Sequence, residues 1–190
     1  MVATTNVKEI ILTEARRIAQ AHGYNGMNFR ELADRVGIKP ASIYHHFASK
    51  ADLGAAVAKR YWEDAAADLD AIHAEEEEPK ASLRRYPEVF RRSLESENRL
   101  CLGSFMSAEH DDLPEAVMKE VHAFTDVNVA WLSHMLVSAG IADSTGAAEA
   151  QARAIFASIA GAQLMARSRS DIGLFDNLVD AYRQTGLLPA

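Results

Sequence analysis

One cysteine, Cys101, is the entire thiol content of this 190-residue chain. An intramolecular disulfide framework is therefore excluded, and a lone thiol suits a reducing cytoplasm, which is the expected location. No apolar run approaches the roughly 18 residues of a membrane span, so no membrane partner is expected. The opening "MVATTNVKEI" has neither a basic n-region nor an apolar h-region, and it does not read as a signal peptide. Strand patterning is missing as well. Runs of β-branched and aromatic residues alternating at period two are absent, and only five prolines interrupt the chain. There is no Ser-His-Asp motif context, no glycine-rich phosphate loop and no mechanistically paired acids. Neither an enzyme nor a cofactor is expected.

What is present is apolar content and an uneven charge. Hydrophobic residues make up 48% of the chain, enough for a real core. The formal net charge is −7, yet residues 1–62 hold nine Lys/Arg against five Asp/Glu, a balance of +4. Residues 63–190 hold eleven against twenty-two, a balance of −11. A basic front end on an acidic body points to an anionic partner for the front alone.

Almost every segment reads as helix. "VKEIILTEARRIAQAHG" places Ile11, Ala15, Ile18 and Ala19 at helical spacing, with Gly23 as its C-terminal stop. In "NFRELADRVG", Asn28 is an N-cap and Glu31 completes a capping box. A third helix starts at Pro40, which suits a first helical position, and ends near Phe47. Ser49 caps a long fourth helix that runs to the "EEEEP" stretch at 75–79, read as a solvated break. Five further helices are predicted at about 81–96, 98–110, 114–139, 145–168 and 172–185. The fold class is all-α: a three-helix head, 1–50, joined to a larger helical body, 51–190.

Two short helices joined by a tight turn at Gly37 make a helix-turn-helix, whose second helix is short enough to lie in a major groove. Ile43 and Phe47, four apart, should face inward with Leu32 and Val36. Lys39, Ala41, Ser42, Tyr44, His45 and His46 then supply groups that reach base edges or phosphates. Lys50 opens the fourth helix, where free N–H groups already favour an anion.

At "AHGYNGMNF", "RELADRVGI" and "SIYHHFASKADL", the chain resembles the tetracycline-repressor (TetR) family of bacterial transcriptional regulators, from about Ile10 to Leu53. Two departures stand out. Asn28 occupies a position where the family often has threonine, and Lys39-Pro40 replaces a more usual serine-led start to the recognition helix. The resemblance implies a homodimer that reads an inverted-repeat operator in double-stranded DNA and responds to a small-molecule effector, most often as a repressor. Asn28, Arg30, Tyr44 and Lys50 are then the expected phosphate contacts. Lys39, Ala41, Ser42 and His45 are the expected base contacts, with His46 left between the two roles.

In the body, Phe90, Leu94, Phe105, Met106, Phe124 and Trp131 are the candidate effector residues, with His122 or Asn128 as a polar handle. Dimerisation is expected on 145–168 and 172–185. The second of these helices sets Phe175, Leu178, Val179 and Tyr182 on one face, and pairing with symmetry mates would form a four-helix bundle. Cys101, flanked by apolar residues, reads as buried. The alternative is a redox or electrophile sensor of the same fold, with Cys101 as its thiol trigger.

Other readings are weaker. No metal site is expected: the adjacent His45 and His46 point about 100° apart on a helix. His122 and Asp126 are an i, i+4 pair better read as solvated. The spacing of His73, His110, His122 and His134 shows no convergence. "EHDD" at 109–112 reads as a helix end and turn. A helical partner-binding module would explain the body but not the basic head.

Overall fold

The computed structural model describes residues 3–189, with side chains from Val7. Ten α-helices follow in order: α1 Ala3–His22, α2 Phe29–Val36, α3 Pro40–His46, α4 Lys50–Glu75, α5 Pro79–Arg85, α6 Glu88–Glu95, α7 Leu102–Ala108, α8 Glu115–Ser138, α9 Thr145–Arg169 and α10 Ile172–Gln184. One turn of 3-10 helix, His110–Asp112, lies between α7 and α8. No strand occurs among the described residues, and none of their helices is long and apolar enough to cross a membrane.

The chain divides into two compact units. The first runs up to Glu63 and takes in Leu102–Phe124; the second holds Asp64–Cys101 and the chain from Thr125 onward. Two of the three divisions fall inside helices, α4 and α8, and the third falls just before α7.

In the first unit α1 presents Ile11, Ala15, Ile18 and Ala19 inward, all essentially buried, as their spacing predicts. Leu32, Ala33, Ile43, Phe47 and Leu53 join the core from α2, α3, the cap of α3 and α4, whereas Val36 is only half-buried. Arg60 of α4 pairs with Glu9 of α1 at 2.8 Å, and the Trp62 indole N–H donates to Glu120 of α8 at 2.7 Å. The 109–112 segment is therefore part of the same compact body as the helix-turn-helix, which its position in the sequence does not suggest.

The second unit is built on α9 and α10, with the buried stripe Ala148, Ala152, Ile155, Ile159, Ala162 and Ala166 along α9. Gln163 is fully buried in that stripe. Its amide accepts the Cys101 N–H at 3.0 Å and donates to the Phe90 carbonyl at 2.7 Å, so a polar side chain in the core is satisfied at both ends. Arg85 bonds Glu75 at 2.8 Å and Glu76 at 3.0 Å, and reaches Glu88 at 3.3 Å. These carboxylates raise its already high pKa further. Part of the acidic run read as a solvated break is thus paired.

Two helices differ from the sequence reading. The predicted helix at 81–96 is split into α5 and α6, because Pro87 has no N–H to donate and its ring crowds the carbonyl one turn back. The predicted helix at 98–110 starts late, at Leu102. Glu97 and Asn98 both take positive φ (61° and 54°), and the Asn98 amide donates to the Arg167 carbonyl at 3.0 Å and to Ser170 Oγ at 3.1 Å. That side chain caps α9 across a distance in sequence that no local pattern reveals.

Candidate nucleic-acid interface

The helix-turn-helix is set by three local devices. Asn28 caps α2, its Oδ1 accepting the N–H groups of Arg30 at 2.8 Å and Glu31 at 3.2 Å. The reciprocal half of the expected capping box is diverted, since the Glu31 carboxylate bonds Arg35 instead, at 2.8 and 3.1 Å. Gly37 then stops α2 in the left-handed region at φ 75°, a conformation a side chain would strain, while Ile38 N–H closes the cap on the Ala33 carbonyl at 3.0 Å. Two residues later Pro40 opens α3 with no side-chain cap. Beyond α3, Ser49 caps α4: Asp52 N–H donates to its hydroxyl at 3.1 Å, and that hydroxyl donates to the Asp52 carboxylate at 2.8 Å.

These devices present one face of α3. Ile43 is 0% and Phe47 4% exposed, so the inward side is fixed by apolar burial. On the outward side Lys39, Ala41, Tyr44 and His45 are exposed, and Ser42 and His46 are half-buried. Tyr44 is 58% exposed, its ring resting on Phe29 with centroids 4.8 Å apart. The His45 and His46 rings meet edge to face at 5.4 Å. Arg30 and Lys39 are exposed, and among the described residues neither forms an ion pair, whereas Arg35 is spent on Glu31. Asn28 uses its oxygen as a cap and keeps its NH2 as a donor.

Lys50 is less free than its sequence position implies. Its ammonium donates to the Asn25 carbonyl at 3.1 Å and lies 4.6 Å from the centroid of the Tyr24 ring. Burial pushes the Tyr24 phenol pKa up, so the ring beneath the ammonium stays neutral. An ammonium has three protons, so an outside anion can still be reached.

The effector candidates fall into two sets. Phe105, Met106, His122 and Phe124 belong to the first unit, and Phe90, Leu94, Asn128 and Trp131 to the second. His122 is exposed and does not join the buried residues, because it lies on the outer face of α8 while Phe124, two positions on, faces inward. In the second unit Tyr86, which sequence reasoning missed, joins two of these candidates. Its hydroxyl donates to Asn128 Oδ1 at 2.9 Å, and its ring stacks on Trp131 at 5.9 Å and 21°. Burial, with a smaller contribution from Cys101, holds the Tyr86 pKa well above the ordinary phenol value. The Trp131 Nε1 is buried and has no partner among the described residues. A cavity of about 560 Å³ in the same unit opens along α8 and α9, lined by Val129, Ser133, Val137 and Glu149 among others, and includes none of the eight effector candidates.

Cys101 is 1% exposed and sits just before α7. Of the four body histidines, His73 and His134 approach to 6.4 Å between ring centres, and no group of three or more metal-ligating side chains converges among the described residues. On α10 the expected apolar face is used within the chain: Phe175 and Val179 are 1% and 4% exposed, while Leu178 and Tyr182 are half-buried. The exposed apolar face lies on α9 instead, where Leu164 and Met165 are 56% and 49% exposed beside exposed Ala154, Ala157 and Gly161.

Residues 11–57 match the model of the bacterial regulatory proteins of the tetR family. The HTH-type transcriptional repressor AcnR of Corynebacterium glutamicum is 42% identical over 62 residues, 33% of this chain and 31% of the relative. The chain thus matches about a third of the length of that curated relative. Over nearly the whole chain the fold is similar to a TetR transcriptional regulator from Legionella pneumophila, at 29% identity and a TM-score of 0.87, covering 94% of this chain and 96% of that one. A TetR-family regulator from Agrobacterium tumefaciens is 28% identical with a TM-score of 0.88, covering 95% and 97%. Residues 11–57 thus match the tetR family of bacterial regulatory proteins in sequence, and head and body together have the fold of TetR-family regulators.

Proposed function

We propose that this chain is a homodimeric DNA-binding transcriptional regulator of the cytoplasm, a repressor released from an inverted-repeat operator by a small molecule. Residues 1–50 are the DNA-binding domain and 51–190 the ligand-binding and dimerisation domain. The observation that carries the reading is the outward face of α3, where Lys39, Ala41, Tyr44 and His45 are exposed behind a fully buried Ile43. A helix held this rigidly from below, with uncommitted polar groups above, is built to enter a groove. Lys39, Ala41, Ser42 and His45 read bases, with His46 at the edge of that face. Asn28, Arg30, Tyr44 and Lys50 hold phosphates.

A second copy covers the α9 face. Exposed small residues there allow close helix approach, and Leu164 and Met165 supply apolar area that water otherwise contacts. Two-fold protein symmetry then demands a two-fold operator. The effector is received near Phe90, Leu94, Asn128 and Trp131 of the second unit. The buried Trp131 N–H favours a ligand with a hydrogen-bond acceptor, because an unpaired buried donor costs about 1–3 kcal/mol until it is satisfied. The effector must bind the DNA-incompetent arrangement more tightly, since equal affinity for both arrangements shifts nothing.

The test is selection of a duplex from a random pool, followed by binding measured against salt. A selected inverted repeat, bound more weakly as salt rises, is the expected result. No preference over random DNA contradicts the reading. The sensor alternative is less well supported by a thiol that is 1% exposed. Slow labelling of native protein and an effector response that survives Cys101→Ser are expected. Rapid labelling at neutral pH with loss of response would make Cys101 the trigger.

A further inference from the structure

The turn that joins α1 to α2 is gripped by side chains about 85 residues away in sequence. α1 ends at Gly23, whose φ of 72° turns the chain so that the next two N–H groups point the same way. Both meet the carboxylate of Glu109: Tyr24 N–H donates to Oε2 at 2.6 Å and Asn25 N–H to Oε1 at 3.3 Å. Asp112 adds a third bond, accepting from Asn25 Nδ2 at 2.9 Å. A Cβ at Gly23 would lie 2.3 Å from Glu109 Oε1, so the carboxylate occupies the space that only glycine leaves open.

The opposite side of the same residue is held by Lys50, which donates to the Asn25 carbonyl at 3.1 Å and covers the Tyr24 ring. Asn25 therefore has its N–H and its side chain on two carboxylates and its carbonyl on the ammonium. Three residues further on is Asn28, the cap of α2.

From this arrangement we infer that Glu109, assisted by Asp112, is a positioning residue for DNA binding. It fixes the Tyr24–Asn25 peptide and, through the Asn25 carbonyl, the direction in which Lys50 presents its remaining protons. The inference rests on the DNA-binding reading. It assigns a task to the "EHDD" segment beyond ending a helix, and it explains why that segment is compact with the head. Bonds from an ionised acceptor to backbone N–H groups are roughly twice as strong as neutral ones, which suits a clamp that must hold a turn in place.

The sign of the effect separates positioning from simple electrostatics. Removing a negative charge from a DNA-binding surface strengthens binding if charge alone matters. Removing a clamp weakens it.

The experiment uses the full chain and a duplex selected from a random pool by the wild-type protein, with binding measured over a range of salt. Glu109→Gln is expected to weaken binding roughly fivefold to tenfold, the effect of about one hydrogen bond's net worth. It should also flatten the log–log salt slope by about one, as Lys50→Ala does when one phosphate contact is lost. The double variant should be no flatter than Lys50→Ala alone, because the carboxylate acts through the ammonium. Amide exchange at Tyr24 and Asn25 should speed up in Glu109→Gln while α1 core amides stay protected. Where Glu109→Gln does not fold, Asp112→Asn decides by the same non-additivity with Lys50→Ala, with a smaller loss. Unchanged or tighter binding, or slopes that add in the double variant, overturns the inference. A wild-type protein that selects no duplex removes the DNA-binding reading and this inference with it, whereas a wild type that binds beside an equally competent Glu109→Gln removes only the clamp.

Discussion

The two compact units use polar side chains in opposite ways. In the first, Arg30 and Lys39 stand on the surface with no ion pair among the described residues, and Tyr44 is 58% exposed. In the second, polar side chains are turned inward or paired. Gln163 is bonded at both ends in the core, Tyr86 is tied to Asn128, and Arg85 gathers three carboxylates. The basic balance of +4 belongs to residues 1–62 alone, since Leu102–Phe124 of the same unit adds five carboxylates against one lysine. A surface kept open and an interior closed on itself are what the proposed regulator requires. The comparison says that substitutions in the first should alter what is bound, and in the second whether the fold holds.

The largest effect tests the burial beneath α3. Ile43→Ala removes a fully buried side chain from beneath the recognition face and should cost about 2–5 kcal/mol in urea unfolding, with loss of DNA binding. A stable, binding-competent Ile43→Ala protein would show that α3 is not held from below. Next is Gln163→Leu, which removes the buried amide that accepts the Cys101 N–H and donates to the Phe90 carbonyl. It should destabilise by about 1–3 kcal/mol, the cost of a buried N–H that loses its acceptor. Retained stability would mean that water or relaxation replaces the amide. Leu164→Asp should give monomers in sedimentation and weaken operator binding by roughly a hundredfold, the avidity lost when two heads no longer act together. A dimer that persists would move the interface off α9.

Legibility in the sequence divides along the same line. Helix starts and stops in the head are written in neighbouring residues: Asn28 before α2, Gly37 after it, Pro40 and Ser49 beyond. The body depends on partners far apart in the chain. Nothing near Asn98 announces that its amide caps α9, and nothing near Gln163 announces two backbone partners 62 and 73 residues away. The α10 face shows the limit of periodicity. Phe175, Leu178, Val179 and Tyr182 share a face by spacing, but spacing does not say whether the chain itself or a second copy covers it. Pro87 was visible, and its break in the 81–96 helix could have been read from the missing donor alone. Glu109 carried no signal beyond its charge, since its partners are backbone N–H groups.

The central claim is that the outward face of α3 reads bases while its flanks hold phosphates. Lys39→Ala and Arg30→Ala, compared on the selected duplex and on single-base variants of it over a range of salt, test that division directly. Lys39→Ala should relax discrimination at one base position by about 1–3 kcal/mol. Arg30→Ala should weaken every duplex alike and flatten the log–log salt slope by about one, with base preference unchanged. If both substitutions merely weakened all sequences equally, or if neither changed binding at all, α3 would not be the reading element.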